Sequence, residues 1–205
     1  MNTNQEISLD KLISGIDNFI FCLNLYKEKI NNLNVFPVPD GDTGTNMLLT
    51  MKSLDLSYTS DSNIEDFLFS LKNSSLMEAR GNSGVILSQF FLGLLTEYKN
   101  NQVLSLKTLA ESIVNAANST RASLPNPVDG TLLTIYEEVG LNAMNNYESS
   151  KTLSDFLKKL SDQSIKSVKD TPNKLDILRE ANVVDSGGLG FAMMMNAWFF
   201  STLCN

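Results

Sequence analysis

Apolar residues recur at helical spacing along most of the chain. Leu9, Leu12, Ile13, Ile16, Phe19, Ile20, Leu23, Tyr26, Ile30 and Leu33 make one stripe, and Ser8 stands before it as an N-cap. The same spacing predicts further helices near residues 45–56, 64–78, 83–99, 105–121, 130–147, 152–169, 174–182 and 187–203. Strict alternation of apolar and polar residues never persists, so strand signals are weak. Short segments such as TSDSN (59–63), LPNPVDG (124–130) and KDTPN (169–173) separate the helices. YTSDSN and NNYESSKT read as ordinary exposed loops, with no internal repeat and no low-complexity tract. An all-α antiparallel bundle is the expected fold.

The final stripe, GLGFAMMMNAWFFSTLC from Gly188 to Cys204, raises the question of a membrane span. It falls short of the roughly 20 residues needed and carries Asn196 at its centre, so a buried helix is the expected reading. The chain stops directly after this run, which suggests a module of a longer protein. With 205 residues and 42% hydrophobic content, one domain can bury a substantial core. A net charge of −7 without a basic cluster argues against nucleic acid. Cys22 and Cys204 lack metal or disulfide spacing, and the N-terminus has no leader pattern, so the expected setting is reducing cytoplasm. The chain contains no histidine, which removes His bases, His-activated nucleophiles and His-ligated metals.

Candidate chemistry begins at NVFPVPDGDTGTNM (34–47). Asp40 and Asp42 flank Gly41, so in a turn both carboxylates can converge on one hard cation. Gly44 permits unusual backbone geometry, and the helix beginning near Thr45 would aim its free N–H groups into the same space. The plainer alternative is that Asp40 or Asp42 only caps that helix. An EF-hand loop from Asp40 fails, because Thr45 and Met51 stand where glycine and glutamate are required. GNSG (81–84) lacks the lysine of a P-loop, and no GxGxxG follows a strand.

Three more polar, glycine-bearing helix starts share this character. They are Gly81-Asn82-Ser83-Gly84 in ARGNSGVILSQFF, Asp129-Gly130-Thr131 in PVDGTLLTI, and Asp185-Ser186-Gly187-Gly188 in VVDSGGLGF. Each alone is a capped helix terminus; four together suit a polyanion, with aspartate-held magnesium bridging phosphate oxygens.

These motifs, in this order, resemble the DhaL-like nucleotide-binding domain that stands at the N-terminus of fatty acid kinases and is related to the dihydroxyacetone kinase nucleotide domain. The resemblance covers nearly the whole chain and implies a closed barrel of eight antiparallel helices with Mg–ATP at one end. It implies that Asp40 and Asp42 hold magnesium, two ions in all. Thr43, Gly44, Thr45, Asn46, Asn82, Ser83 and Gly84 would contact phosphate, and Thr131 with Asp185, Ser186 and Gly187 would complete the pocket. Dihydroxyacetone kinases place a third aspartate before the pair. Here the nearest upstream polar group is Asn34, a weaker magnesium ligand offset by one further residue. The implied activity is phosphoryl transfer from ATP to a fatty acid carboxylate presented by a separate fatty-acid-binding carrier protein, with any homodimer formed through regions beyond this chain. The isolated domain is expected to bind Mg–ATP and to transfer little. A small-polyol kinase, a non-turnover regulatory or phosphorelay module and a ligand-free scaffold are the alternatives.

Overall fold

The computed structural model describes residues 5–54, 56, 63–99 and 103–203. Among them the helices are α1 (Leu9–Asn31), α2 (Thr43–Lys52), α3 (Ile64–Glu78), α4 (Gly81–Leu95), α5 (Leu106–Ala122), α6 (Leu132–Asn146), α7 (Leu153–Lys174), α8 (Asp176–Glu180) and α9 (Ser186–Ser201). All but the short α8 are barrel staves. The wall closes in the order α1, α2, α4, α5, α6, α7, α9 and back to α1, with α3 seated against α4 and α2. The all-α expectation holds. YTSDSN and TSDSN fall, apart from Asn63, outside the described residues, as does Cys204; Cys22 is a free thiol.

A small sheet was not foreseen. Strand β1 (Glu6–Ser8) pairs antiparallel with β2 (Val103–Ser105), Ile7 facing Leu104. Three residues are too few to show alternation, and each strand exists only through its distant partner. The two segments play equivalent parts: each ends in a serine, Ser8 or Ser105, that caps the helix it leads into.

Helix limits differ from the sequence pattern where capping or chemistry intervenes. α4 gives way to a 3-10 turn (Thr96–Lys99). α7 runs through Pro172, which cannot donate to the carbonyl of Val168. Thr171 supplies the missing donor, its hydroxyl reaching that carbonyl at 2.8 Å.

α9 is apolar on nearly all sides because it lies between α1, α7, α2 and α6. Its lone central amide, Asn196, accepts a hydrogen bond from Ser161 of α7 at 3.3 Å. Among the described residues no helix is long and apolar enough to cross a membrane. The interior is filled by aromatic rings: Phe90 stacks on Tyr136 with centroids 4.2 Å apart, and Phe191 meets Tyr136 edge-on at 4.5 Å. Gly15 lets Trp198 lie against α1, where a Cβ would come within 1.7 Å of the indole.

Candidate functional site

Because the staves alternate in direction, their N-termini collect at two ends. α1, α3, α5 and α7 begin at one end, and each is closed by its own N-cap side chain. Ser8 accepts from the Lys11 N–H at 3.3 Å, Asn63 from Glu65 at 2.9 Å, Ser105 from Thr108 at 3.2 Å and Thr152 from Asp155 at 3.1 Å. α2, α4, α6 and α9 begin at the other end, around a cavity of 460 Å³. There Asp42, Arg80 and Thr131 occupy N-cap positions without a side-chain cap bond. Of the four N-cap residues at this end, only Asp185 caps its helix, accepting from the Gly188 N–H at 2.6 Å.

In the DGD turn, capping is not the role of the second aspartate. Asp42 stands at the N-cap of α2, yet its side chain makes no cap bond. That task falls to Asn31, the last residue of α1, whose Oδ1 accepts from the N–H groups of Gly44 (2.8 Å) and Thr45 (3.1 Å). This borrowed cap also starts α2 two residues earlier than the apolar pattern indicates. Gly41, at φ +65°, turns the chain between an exposed Asp40 and a half-buried Asp42 on the cavity wall. Asn34 lies in the same wall, 7% exposed. Its amide nitrogen donates to the carbonyls of Val38 (3.1 Å) and Phe36 (3.4 Å), while its buried Oδ1 has no hydrogen-bond partner.

The cavity gathers Asn34, Asp40, Asp42, Thr43, Asn46, Asn82, Ser83, Thr131, Asp185, Ser186 and Gly187 from distant stretches of sequence. Gly44, Thr45 and Gly84 do not line it, which changes the expectation of phosphate contact for those three. The N–H groups of Gly44 and Thr45 are already engaged by Asn31. Gly44 seats α2 on α1, where a Cβ would lie 2.4 Å from the Lys27 carbonyl, and Gly84 seats α4 against Thr50. Cross-links then hold the helix starts together. Ser83 donates to the Thr43 carbonyl at 3.4 Å, Ser186 to the Thr43 hydroxyl at 3.2 Å, and the Asp185 N–H to the Thr171 hydroxyl at 3.0 Å.

Asp185 is the cavity's buried acid. Burial raises its carboxyl to about 6, against the opposing pull of the Gly188 and Leu132 N–H groups. Tyr136 lies fully buried nearby, its hydroxyl unpartnered and its pKa pushed up by burial and by the charge of Asp185.

Besides the polar helix starts, Val85, Ile86, Leu124, Pro125 and Val128 form an apolar wall. The motifs did not point to it. Its strongest sequence signal was the proline pair of LPNPVDG, which reads first as a turn. Among the described residues no lysine or arginine lines the cavity, so an anion there would meet N–H groups, hydroxyls and amides. Among the same residues no group of three His, Cys, Asp or Glu side chains is arranged to hold a metal. Two carboxylates, with an amide oxygen nearby, suit magnesium, which takes one or two carboxylates and completes its shell with water and phosphate.

The DAK2 domain family model matches residues 37–199. An uncharacterized protein of Staphylococcus epidermidis is 36% identical over 189 residues, covering 91% of this chain and 34% of that protein. One of Staphylococcus aureus is 35% identical with the same coverage. The chain thus spans about a third of the length of the curated relatives it matches. Among solved structures, the dihydroxyacetone kinase from C. freundii in complex with AMP-PNP and Mg2+ matches with a TM-score of 0.66 at 16% identity, over 96% of this chain and 35% of that one. That likeness is one of fold.

Proposed function

The chain belongs to the DAK2 domain family, and from that premise we propose that it binds Mg–ATP at the open end of its barrel as the nucleotide domain of a kinase. The observation that carries this is the pairing of the α4 start, whose N-cap residue Arg80 makes no side-chain cap bond, with an aspartate pair whose N-cap member does no capping. Asp40 and Asp42 would hold magnesium, two ions in all, with the Asn34 amide oxygen as the third protein donor. Bound magnesium supplies charge neutralisation on the phosphates.

The N–H groups opening α4 and α9, at Asn82, Ser83 and Gly187, receive phosphate oxygens, with the Thr43, Ser83, Thr131 and Ser186 hydroxyls and the Asn46 amide around them. Their cross-links keep these donors in place before a ligand arrives, so little reorganisation is left to the reaction. The apolar wall excludes water from its side and receives the base. Asp185 sets the direction of α9.

For the acceptor we propose a fatty acid carboxylate presented by a separate carrier protein in the cytoplasm, giving an acyl phosphate. A carboxylate is ionised at neutral pH and needs no general base, which agrees with a chain devoid of histidine. A small polyol is the second reading, favoured by Asp185, whose raised pKa suits proton acceptance from a hydroxyl. Incubating the chain with γ-labelled Mg–ATP and either fatty-acid-loaded carrier or dihydroxyacetone separates the two. Acyl phosphate trapped as hydroxamate supports the first, label on the polyol the second. Transfer to neither, from a chain that binds Mg–ATP, rejects transfer by this domain alone.

A further inference from the structure

We propose that Arg121 is a positioning residue that latches the α5–α6 loop over the cavity, and that its ion pair with Asp129 controls nucleotide release. This rests on the nucleotide reading above. The loop contributes Leu124, Pro125, Asn126 and Val128 to the cavity wall, so its placement shapes the apolar side of the site.

Its α6 end is pinned locally. The Thr131 hydroxyl donates to the Val128 carbonyl at 2.7 Å, and the Gly130 N–H donates to Thr134 at 2.9 Å. Gly130 sits at φ +79° against the end of α7, where a Cβ would meet that of Leu175 at 2.8 Å. Arg121, in the last turn of α5, adds a tie from outside. Its Nη2 donates to Asp129 Oδ1 at 2.8 Å and to Glu137 Oε2 at 3.1 Å, while its Nε donates to the other Glu137 oxygen. One planar guanidinium thereby joins α5, the loop and α6. A lysine, with a single point charge, cannot hold this fork.

The two halves of the clamp differ in exposure. Arg121 and Glu137 are 26% and 38% exposed, whereas Asp129 is 80% exposed. The Glu137 contact is thus the fixed hinge of the clamp, and the Asp129 contact, facing solvent and screened by salt, is the part that opens.

The test is stopped-flow release of a fluorescent ATP analogue, with magnesium, from the 205-residue chain and from its Asp129→Asn, Arg121→Lys and Arg121→Met variants. Asp129→Asn and Arg121→Lys are expected to release nucleotide about fivefold faster at low salt, with melting midpoints close to wild type. Raising salt should speed release from wild type toward the Asp129→Asn rate and leave that variant unchanged. Arg121→Met also strands Glu137 and should lower the midpoint. Wild-type release rates in Asp129→Asn and Arg121→Lys, or equal salt dependence in wild type and Asp129→Asn, overturn the latch while leaving the nucleotide reading intact. A folded wild type that binds no Mg–ATP overturns both.

Discussion

At the end where α1, α3, α5 and α7 begin, every helix keeps its own cap, and the Ile7–Leu104 strand pair ties the starts of α1 and α5 together. At the end where α2, α4, α6 and α9 begin, three N-cap side chains make no cap bond and the space between the helices is a cavity. At the first end each helix is capped by its own N-cap residue; at the second, α2 borrows Asn31, Asp185 serves α9 and also accepts from the Leu132 N–H of α6, and Arg80 makes no cap bond to α4. Backbone donors without partners cost stability when buried, so the α4 start, with Gly81, Asn82 and Ser83 on the cavity wall, is the place where first-turn N–H groups can stay open to an incoming acceptor.

The largest expected effect comes from the seat of the open end. Gly44→Ala places a Cβ 2.4 Å from a backbone oxygen that cannot step aside. We expect a loss of about 3 kcal/mol by urea unfolding, with nucleotide binding lost as α2 is displaced.

Next is the buried acid. Asp185 titrates at about 6 in the folded chain against an ordinary value of 3.8, so between those values the folded state binds more protons than the unfolded one. Its contribution is therefore most favourable below about pH 4 and falls through pH 6, by up to roughly 3 kcal/mol. Asp185→Asn keeps a capping oxygen for Gly188 and should flatten this part of the pH–stability curve relative to wild type. Parallel curves for the two proteins would mean Asp185 is hydrated rather than buried.

Smaller effects set one end against the other directly. Ser105→Ala at the closed end should cost about 1 kcal/mol of stability and leave nucleotide affinity unchanged. Arg80→Ser offers α4 a capping oxygen at the open end, and should add about 0.5 kcal/mol while weakening nucleotide binding, because the hydroxyl competes with phosphate for the same N–H groups. Equal effects on binding from both substitutions would erase the distinction between the ends.

Much of this layout was legible in the sequence because helical stripes and capping residues act over a few positions. Four glycine-bearing starts marked the open end, and the structure brings most of their residues into one cavity. What stayed hidden depends on distant partners. Asn31 reads as the tail of α1 and serves as the cap of α2; Ile7 and Leu104 become strands only together; Thr171 satisfies the carbonyl exposed by Pro172 and then receives the Asp185 N–H. The loop wall and the Arg121 clamp likewise join residues whose local sequence signals only a turn and a helix end.

The most direct measurement is calorimetric titration of ATP into the chain with and without magnesium, repeated on the folded Asp40→Ala, Asp42→Ala double variant. If the open end is the Mg–ATP site, wild type binds with magnesium, loses most affinity without it, and the double variant binds at least about a hundredfold more weakly in magnesium. Binding that is indifferent to magnesium, or retained in full by the double variant, would contradict the site, and no binding by the folded wild type would reduce the open end to helix starts around a cavity.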